Sequence, residues 1–78
     1  MATTLGSAIT LSATDTQFTA TGSTSYTIYG NGLDNTIIGN NAANKIFGGL
    51  GNDKLQGNDG NDSIWGGDGN DTLIGGLG

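Results

Sequence analysis

An aliphatic residue returns at every ninth position through most of this chain: Ile28, Ile37, Ile46, Leu55, Ile64 and Leu73. Helices do not produce that interval, because their buried positions recur three and four residues apart. The residue before each is polar: Thr27, Thr36, Lys45, Lys54, Ser63 and Thr72. A polar–apolar–variable triplet predicts a very short strand whose middle side chain points inward. The six positions between triplets are mainly glycine, asparagine and aspartate, residues that turn the backbone and reach positive φ. A three-residue strand buries almost nothing by itself, so these units must stack on one another to fold.

The best copies are GGLGNDKLQ at Gly48–Gln56 and GGDGNDTLI at Gly66–Ile74, with GNDGNDSIW at Gly57–Trp65 between them. Gly30–Ile38 (GNGLDNTII) and Gly39–Phe47 (GNNAANKIF) keep the period but carry Asn35 and Asn44 where later units carry aspartate. Residues 75–78 (GGLG) open a sixth unit. Two segments follow from this: 1–29, rich in Thr and Ser, as an N-terminal β cap or extension, and 30–78 as the repeat roll. In the first, Ile9/Leu11 and Phe18/Ala20 flank single threonines nine residues apart, so the period is expected to persist with its inward–outward alternation reversed. An antiparallel hairpin is the alternative for that segment.

Composition narrows the chemistry. The chain has 78 residues, one small domain at most, with sixteen glycines, no proline, no cysteine, no histidine and a net charge of −5. An acidic surface repels nucleic acid and anionic membrane, and no stretch is apolar enough to insert into a bilayer. The N-terminus lacks the basic and apolar regions of a cleaved signal peptide. Without histidine or cysteine there is no donor for a soft metal and no nucleophile–base pair, so an enzyme is not expected. Asn61-Asp62-Ser63 and Asn70-Asp71-Thr72 fit the glycosylation sequon, but the repeat itself already requires both triplets. Asp59 and Asp68, at the third position of their units, read as solvated turn residues.

A tight glycine turn exposes successive carbonyl oxygens, and one aspartate per turn adds a carboxylate. Calcium takes six to eight oxygen ligands at about 2.3–2.6 Å and accepts both kinds. Stacked carboxylates repel without a cation, so folding and Ca2+ binding are expected to form one equilibrium.

Gly48–Gln56 and Gly66–Ile74 match G-G-x-G-x-D-x-U-x fully and Gly57–Trp65 misses one glycine, all in one register, and residues 30–78 resemble the RTX (repeats-in-toxin) calcium-binding nonapeptide family. The resemblance implies an all-β fold, a parallel β-roll or two-sided β-solenoid of about 18 residues per coil, with calcium between the turns of units n and n+2. It pairs Asp53 with Asp71, joined by the carbonyls of Gly48 and Leu50 below and Gly67 and Gly69 above. Asn44 with Asp62, and Asn35 with Asp53, form mixed pairs of lower charge; a fourth pair sets Asp62 against the turn that ends at Gly78 and is half-built. It also implies secretion to the extracellular space by a type I route. Two roles fit: a self-assembling, filament-like structural subunit, or the calcium-dependent module of a larger secreted toxin, protease or lipase. In such a roll Tyr29, Phe47 and Trp65 fall in one outward column, a ladder or a contact stripe for a homo-polymer, which end-to-end stacking would extend.

Overall fold

The structure is a computed structural model that describes residues 3–5 and 7–75. Nine strands of three residues each form its regular structure: β1 (Thr3–Leu5), β2 (Ala8–Thr10), β3 (Gln17–Thr19), β4 (Thr27–Tyr29), β5 (Thr36–Ile38), β6 (Lys45–Phe47), β7 (Lys54–Gln56), β8 (Ser63–Trp65) and β9 (Thr72–Ile74). The last six coincide with the triplets read from the sequence.

Successive strands alternate between two sheets, ordered β1-β2-β4-β6-β8 and β3-β5-β7-β9. From β4 onward every pairing is parallel and offset by 18 residues, as in Ile28 opposite Ile46 and Ile37 opposite Leu55. This is a parallel β-roll, two nonamers to the coil. Turns 11–16, 30–35, 48–53 and 66–71 stack along one edge, and turns 20–26, 39–44 and 57–62 along the other. Each coil is tied to the next by regular bonds at the strand ends, such as Lys54 N–H to Asn35 O at 2.7 Å and Thr72 N–H to Asp53 O at 2.8 Å.

The central side chain of each triplet fills the space between the sheets. Ile28, Ile37, Ile46 and Leu55 are fully buried, each stabilising the fold by about 1.5–3 kcal/mol. Ile64 is only partly buried and Leu73 is 49% exposed, because β8 and β9 are the outermost strands described and carry no coil on their far side.

The N-terminal segment differs from its expected phase. Counting back by nines from Ile28 places Thr19 and Thr10 in the inward column, hence the reversed alternation expected there. Instead Ile9 lies opposite Ile28 and Phe18 opposite Ile37, offsets of 19 residues, so the alternation is not reversed. The cause is one additional residue in turn 20–26, which shifts the frame of everything before it. Leu11 and Ala20 then occupy the slots that Gly30 and Gly39 take one coil later: Leu11 N–H bonds Tyr29 O as Gly30 N–H bonds Phe47 O. Both are buried and extend the apolar core. β1 folds back antiparallel on β2, with Thr4 opposite Ile9, so the segment combines a hairpin with parallel coils.

Candidate metal centre

The chemistry concentrates at the turns. In the three best repeats the second and fourth residues take positive φ: Gly49 and Gly51 at 83° and 91°, Asn58 and Gly60 at 66° and 95°, Gly67 and Gly69 at 79° and 104°. Asparagine tolerates this conformation better than other side chains, which explains why Asn58 stands in for a glycine.

The sixth residue of each unit turns inward and receives a bond from the coil below. Asp71 Oδ1 accepts from Asp53 N–H at 2.8 Å, Asp62 Oδ1 from Asn44 N–H at 2.7 Å, and Asp53 Oδ1 from Asn35 N–H at 2.8 Å. All three sequence-predicted pairs are therefore brought together by the same contact. The second carboxylate oxygens differ: Asp53 Oδ2 and Asp62 Oδ2 are buried with no hydrogen-bond partner.

Asp53 is the more constrained of the two, at 2% exposure. A Cβ placed on Gly48 would lie 2.6 Å from Asp53 Oδ2 and 2.8 Å from Gly66 O. The absent side chain of Gly48 thus leaves a slot walled by a carboxylate oxygen and a carbonyl, with no donor beside the free oxygen. Two acceptors facing one space call for a cation, and oxygen donors of this kind suit Ca2+. The residues fit the ion. Gly66 O was not among the carbonyls expected from the repeat pattern; only the stacking of the coils shows that it faces the Gly48 slot. Of the expected second-turn residues, Gly67 sits directly over Gly49 O and Gly69 over Gly51 O.

The mixed pairs are poorer in free oxygen. Asn35 Oδ1 and Asn44 Oδ1 each accept the N–H of their own unit's second residue, Asn31 and Asn40, at 3.0 Å. Among the described residues no three acidic side chains cluster, so any ion between these turns draws most of its ligands from the backbone.

Burial pushes the Asp53 carboxyl above its ordinary value of 3.8, with the charges of Asp71 and Asp34 adding to it against the stabilising Asn35 N–H. The metal-free fold then holds its proton more tightly than the unfolded chain. That contribution is present at acid pH and is lost as pH rises through the folded-state value. Calcium-free protein should therefore gain β-structure as pH falls from neutral toward the ordinary carboxylate range. With calcium present the sign reverses for the ion: its midpoint concentration should rise on acidification, because protons compete for the same oxygen. Circular dichroism at a series of pH values, with and without Ca2+, checks both halves.

On the outer face, Tyr29 and Phe47 stack with centroids 5.1 Å apart and planes 9° from parallel, and Phe47 and Trp65 at 4.5 Å and 4°. A second ladder runs along the turn edge, where Asn52 N–H bonds Asp34 Oδ1 at 2.7 Å and Asn70 N–H bonds Asn52 Oδ1 at 2.8 Å. Nothing in the sequence singled out these fifth-position residues beyond their spacing of eighteen.

Inward carboxylates on stacked turns along a parallel solenoid define a cation-binding β-roll. The profile of the RTX calcium-binding nonapeptide repeat (4 copies) matches residues 29–55 and 47–78, and the chain belongs to that family. Its repeats bind Ca2+ and serve as structural units rather than catalytic ones. No curated protein and no solved structure matches the chain.

Proposed function

We propose that this chain is a calcium-triggered structural module, non-catalytic and working outside the cell, whose upper coils take their fold only when Ca2+ is bound. The observation that carries this reading is Asp53 Oδ2, buried and unpartnered beside Gly66 O. The primary site lies between turns 48–53 and 66–71. Asp53 and Asp71 supply its charge, with the carbonyls of Gly48, Leu50, Gly66, Gly67 and Gly69 as the backbone set. Asp62 with Asn44, and Asp53 with Asn35, make secondary sites of lower affinity. Bound there, the ion neutralises carboxylates that the stack would otherwise force together. Extracellular calcium modules work at roughly 10⁻⁴–10⁻³ M, the regime that fits sites with two carboxylates at most.

Calcium should convert a weak, partly ordered far-UV spectrum into a β-spectrum of full strength, saturably and reversibly with chelator. Magnesium at the same concentration should fail, since it demands octahedral geometry and sheds water reluctantly. A β-spectrum of full strength in excess chelator would sink the reading.

Self-association belongs to the same proposal, as does its alternative, a module within a larger type I-secreted toxin, protease or lipase. What supports association is exposure: Tyr29 is 44% exposed, Trp65 48%, and Ile74 39% on the outer strand β9. The ring faces are largely taken up by one another, so the stripe offers a partner mainly edges. At the opposite end β1 and β3 are the edge strands of the two sheets, and both are open to end-to-end stacking. Trp65→Ser should leave calcium-induced folding nearly intact while weakening association in sedimentation runs. Parent and variant sedimenting alike in calcium would reduce the stripe to an internal ladder, worth about 0.5–1.5 kcal/mol per ring pair.

A further inference from the structure

The gaps between stacked turns are not closed by the same means. In the first gap on one edge, Asn31 reaches down from the second position of turn 30–35. Its Nδ2 donates to Ser12 O at 2.5 Å and Asp15 O at 2.7 Å, while Asn35 Nδ2 donates to Asp15 O at 3.1 Å. In the first gap on the other edge, Asn40 Nδ2 donates to Thr21 O at 3.2 Å and Thr24 O at 2.9 Å. Both carboxamides are anchored at their other end, Asn31 Oδ1 by Leu33 N–H at 2.9 Å and Asn40 Oδ1 by Ala42 N–H at 3.0 Å. Two carbonyls of a lower turn thus converge on one electropositive group held by the turn above, which is what a bound cation would do for them.

Later gaps change character with the residue at that second position. Gly49 and Gly67 carry no donor, and in the gap above Gly48 the oxygen Asp53 Oδ2 is left without a partner. Asn58 is intermediate: its Nδ2 donates to a single carbonyl, Gly39 O, at 2.6 Å, and Asp62 Oδ2 and Asn44 Nδ2 stay unpartnered.

We propose that the carboxamides of Asn31 and Asn40 are built-in replacements for a cation, so that β1–β5 form a calcium-independent base on which the calcium-dependent coils are laid. The second position of the upper turn decides which gap needs an ion: asparagine closes it with N–H donors, glycine leaves it to Ca2+. The apolar core is weighted toward this base, with Ile46 and Leu55 continuing it into the coils above. Ile9, Leu11, Ala20, Ile28 and Ile37 are buried in the first coils, with Phe18 and Tyr26 packed on them. The residues preceding β3 and β4 are Thr16 and Tyr26, so no carboxylate is forced inward there. The base is held by burial and amides, and the coils above it by charge neutralisation.

The inference rests partly on the proposed calcium reading, and hydrogen–deuterium exchange by mass spectrometry on the full chain separates the two. In excess chelator β4 and β5 should exchange about tenfold or more slowly than β8 and β9, and millimolar calcium should slow β7–β9. Uniformly fast exchange in chelator overturns the calcium-independent base. Failure of the calcium reading shows separately, as protection of β7–β9 indifferent to chelator. Asn31→Asp then tests the replacement itself, since it keeps the shape but turns the donor into an anion facing two carbonyls. That variant should lose the protection of β4 and β5 in chelator by about tenfold, regain it in calcium, and bind one more Ca2+ than the parent by native mass spectrometry. Asn31→Leu should lose the same protection and gain no ion. An Asp variant that binds no additional calcium, or one as protected in chelator as the parent, overturns the proposal.

Discussion

Asp53→Ala is expected to raise the calcium concentration needed for half-folding by about tenfold or more, whereas Asp59→Ala should shift it less than about twofold. Asp53 stands in the middle of the inward ladder. Its Oδ1 holds Asn35 N–H, its own N–H is held by Asp71 Oδ1, and its Oδ2 is the free buried oxygen. Truncation removes charge from the gaps on both sides and strands the N–H of Asn35, a residue only 1% exposed. An orphaned buried donor costs about 1–3 kcal/mol before any calcium is counted. Asp53→Asn separates the two losses, because its amide oxygen can still accept from Asn35 while the charge is gone. The ranking in calcium titrations followed by circular dichroism should be Ala worst, Asn intermediate and Asp59→Ala near the parent. Equal midpoints for Asp53→Ala and Asp59→Ala, whose third-position side chain is exposed, would remove Asp53 from the site.

Gly48→Ala should be nearly as damaging for a different reason. The added methyl falls 2.6 Å from Asp53 Oδ2 and 2.8 Å from Gly66 O, inside the contact distance that real Cβ atoms keep. The carbonyl is backbone and cannot step aside without moving the coil above, so about 1–3 kcal/mol of overpacking is expected. The same methyl occupies the slot in which the free oxygens meet, so calcium cannot rescue it. Gly32→Ala is the matched control, since a Cβ there meets nothing within 4 Å. Thermal unfolding in saturating calcium should show a clear drop in midpoint for Gly48→Ala and almost none for Gly32→Ala. Comparable midpoints would mean that the stacked turns are looser than these contacts.

Much of this was legible because a nonamer stack has one free choice, its phase, and six aliphatic residues from Ile28 to Leu73 fix it. That phase located β4–β9, the inward carboxylates and the aromatic column, whose rings do stack. What escaped had no signature at the level of residue type. The additional residue in turn 20–26 sits among threonines and serines, where nothing marks a lengthened loop, so Ile9 and Phe18 were read one place out of frame. Leu11 and Ala20 fill slots that carry glycine elsewhere, in turns that end in Thr16 and Tyr26 and so set no carboxylate of their own against them. Asn31 and Asn40 read as turn formers, which they are, through Leu33 N–H and Ala42 N–H. Their second task, reaching the coil beneath, depends on partners 16 and 19 positions away and on the shifted frame. Gly66 O is hidden for the same reason: its place beside Asp53 is a property of the stack, not of the unit.

The parallel offset of 18 residues also has a mechanical meaning. Strands lie across the stacking axis, the bonds between coils run along it, and the two ends of the described chain sit at opposite ends of the column. A pull on those ends loads the coils in series, so they peel one at a time rather than shearing together. Each rung that gives way frees about 60 Å of slack, the reach of one coil of extended chain. On the proposed reading, rungs closed by amide groups hold whether or not calcium is present, while rungs closed by an ion would be as strong as the surrounding calcium makes them. Stretched between two attachments, such a column is a tether whose yield point is set by the water around it.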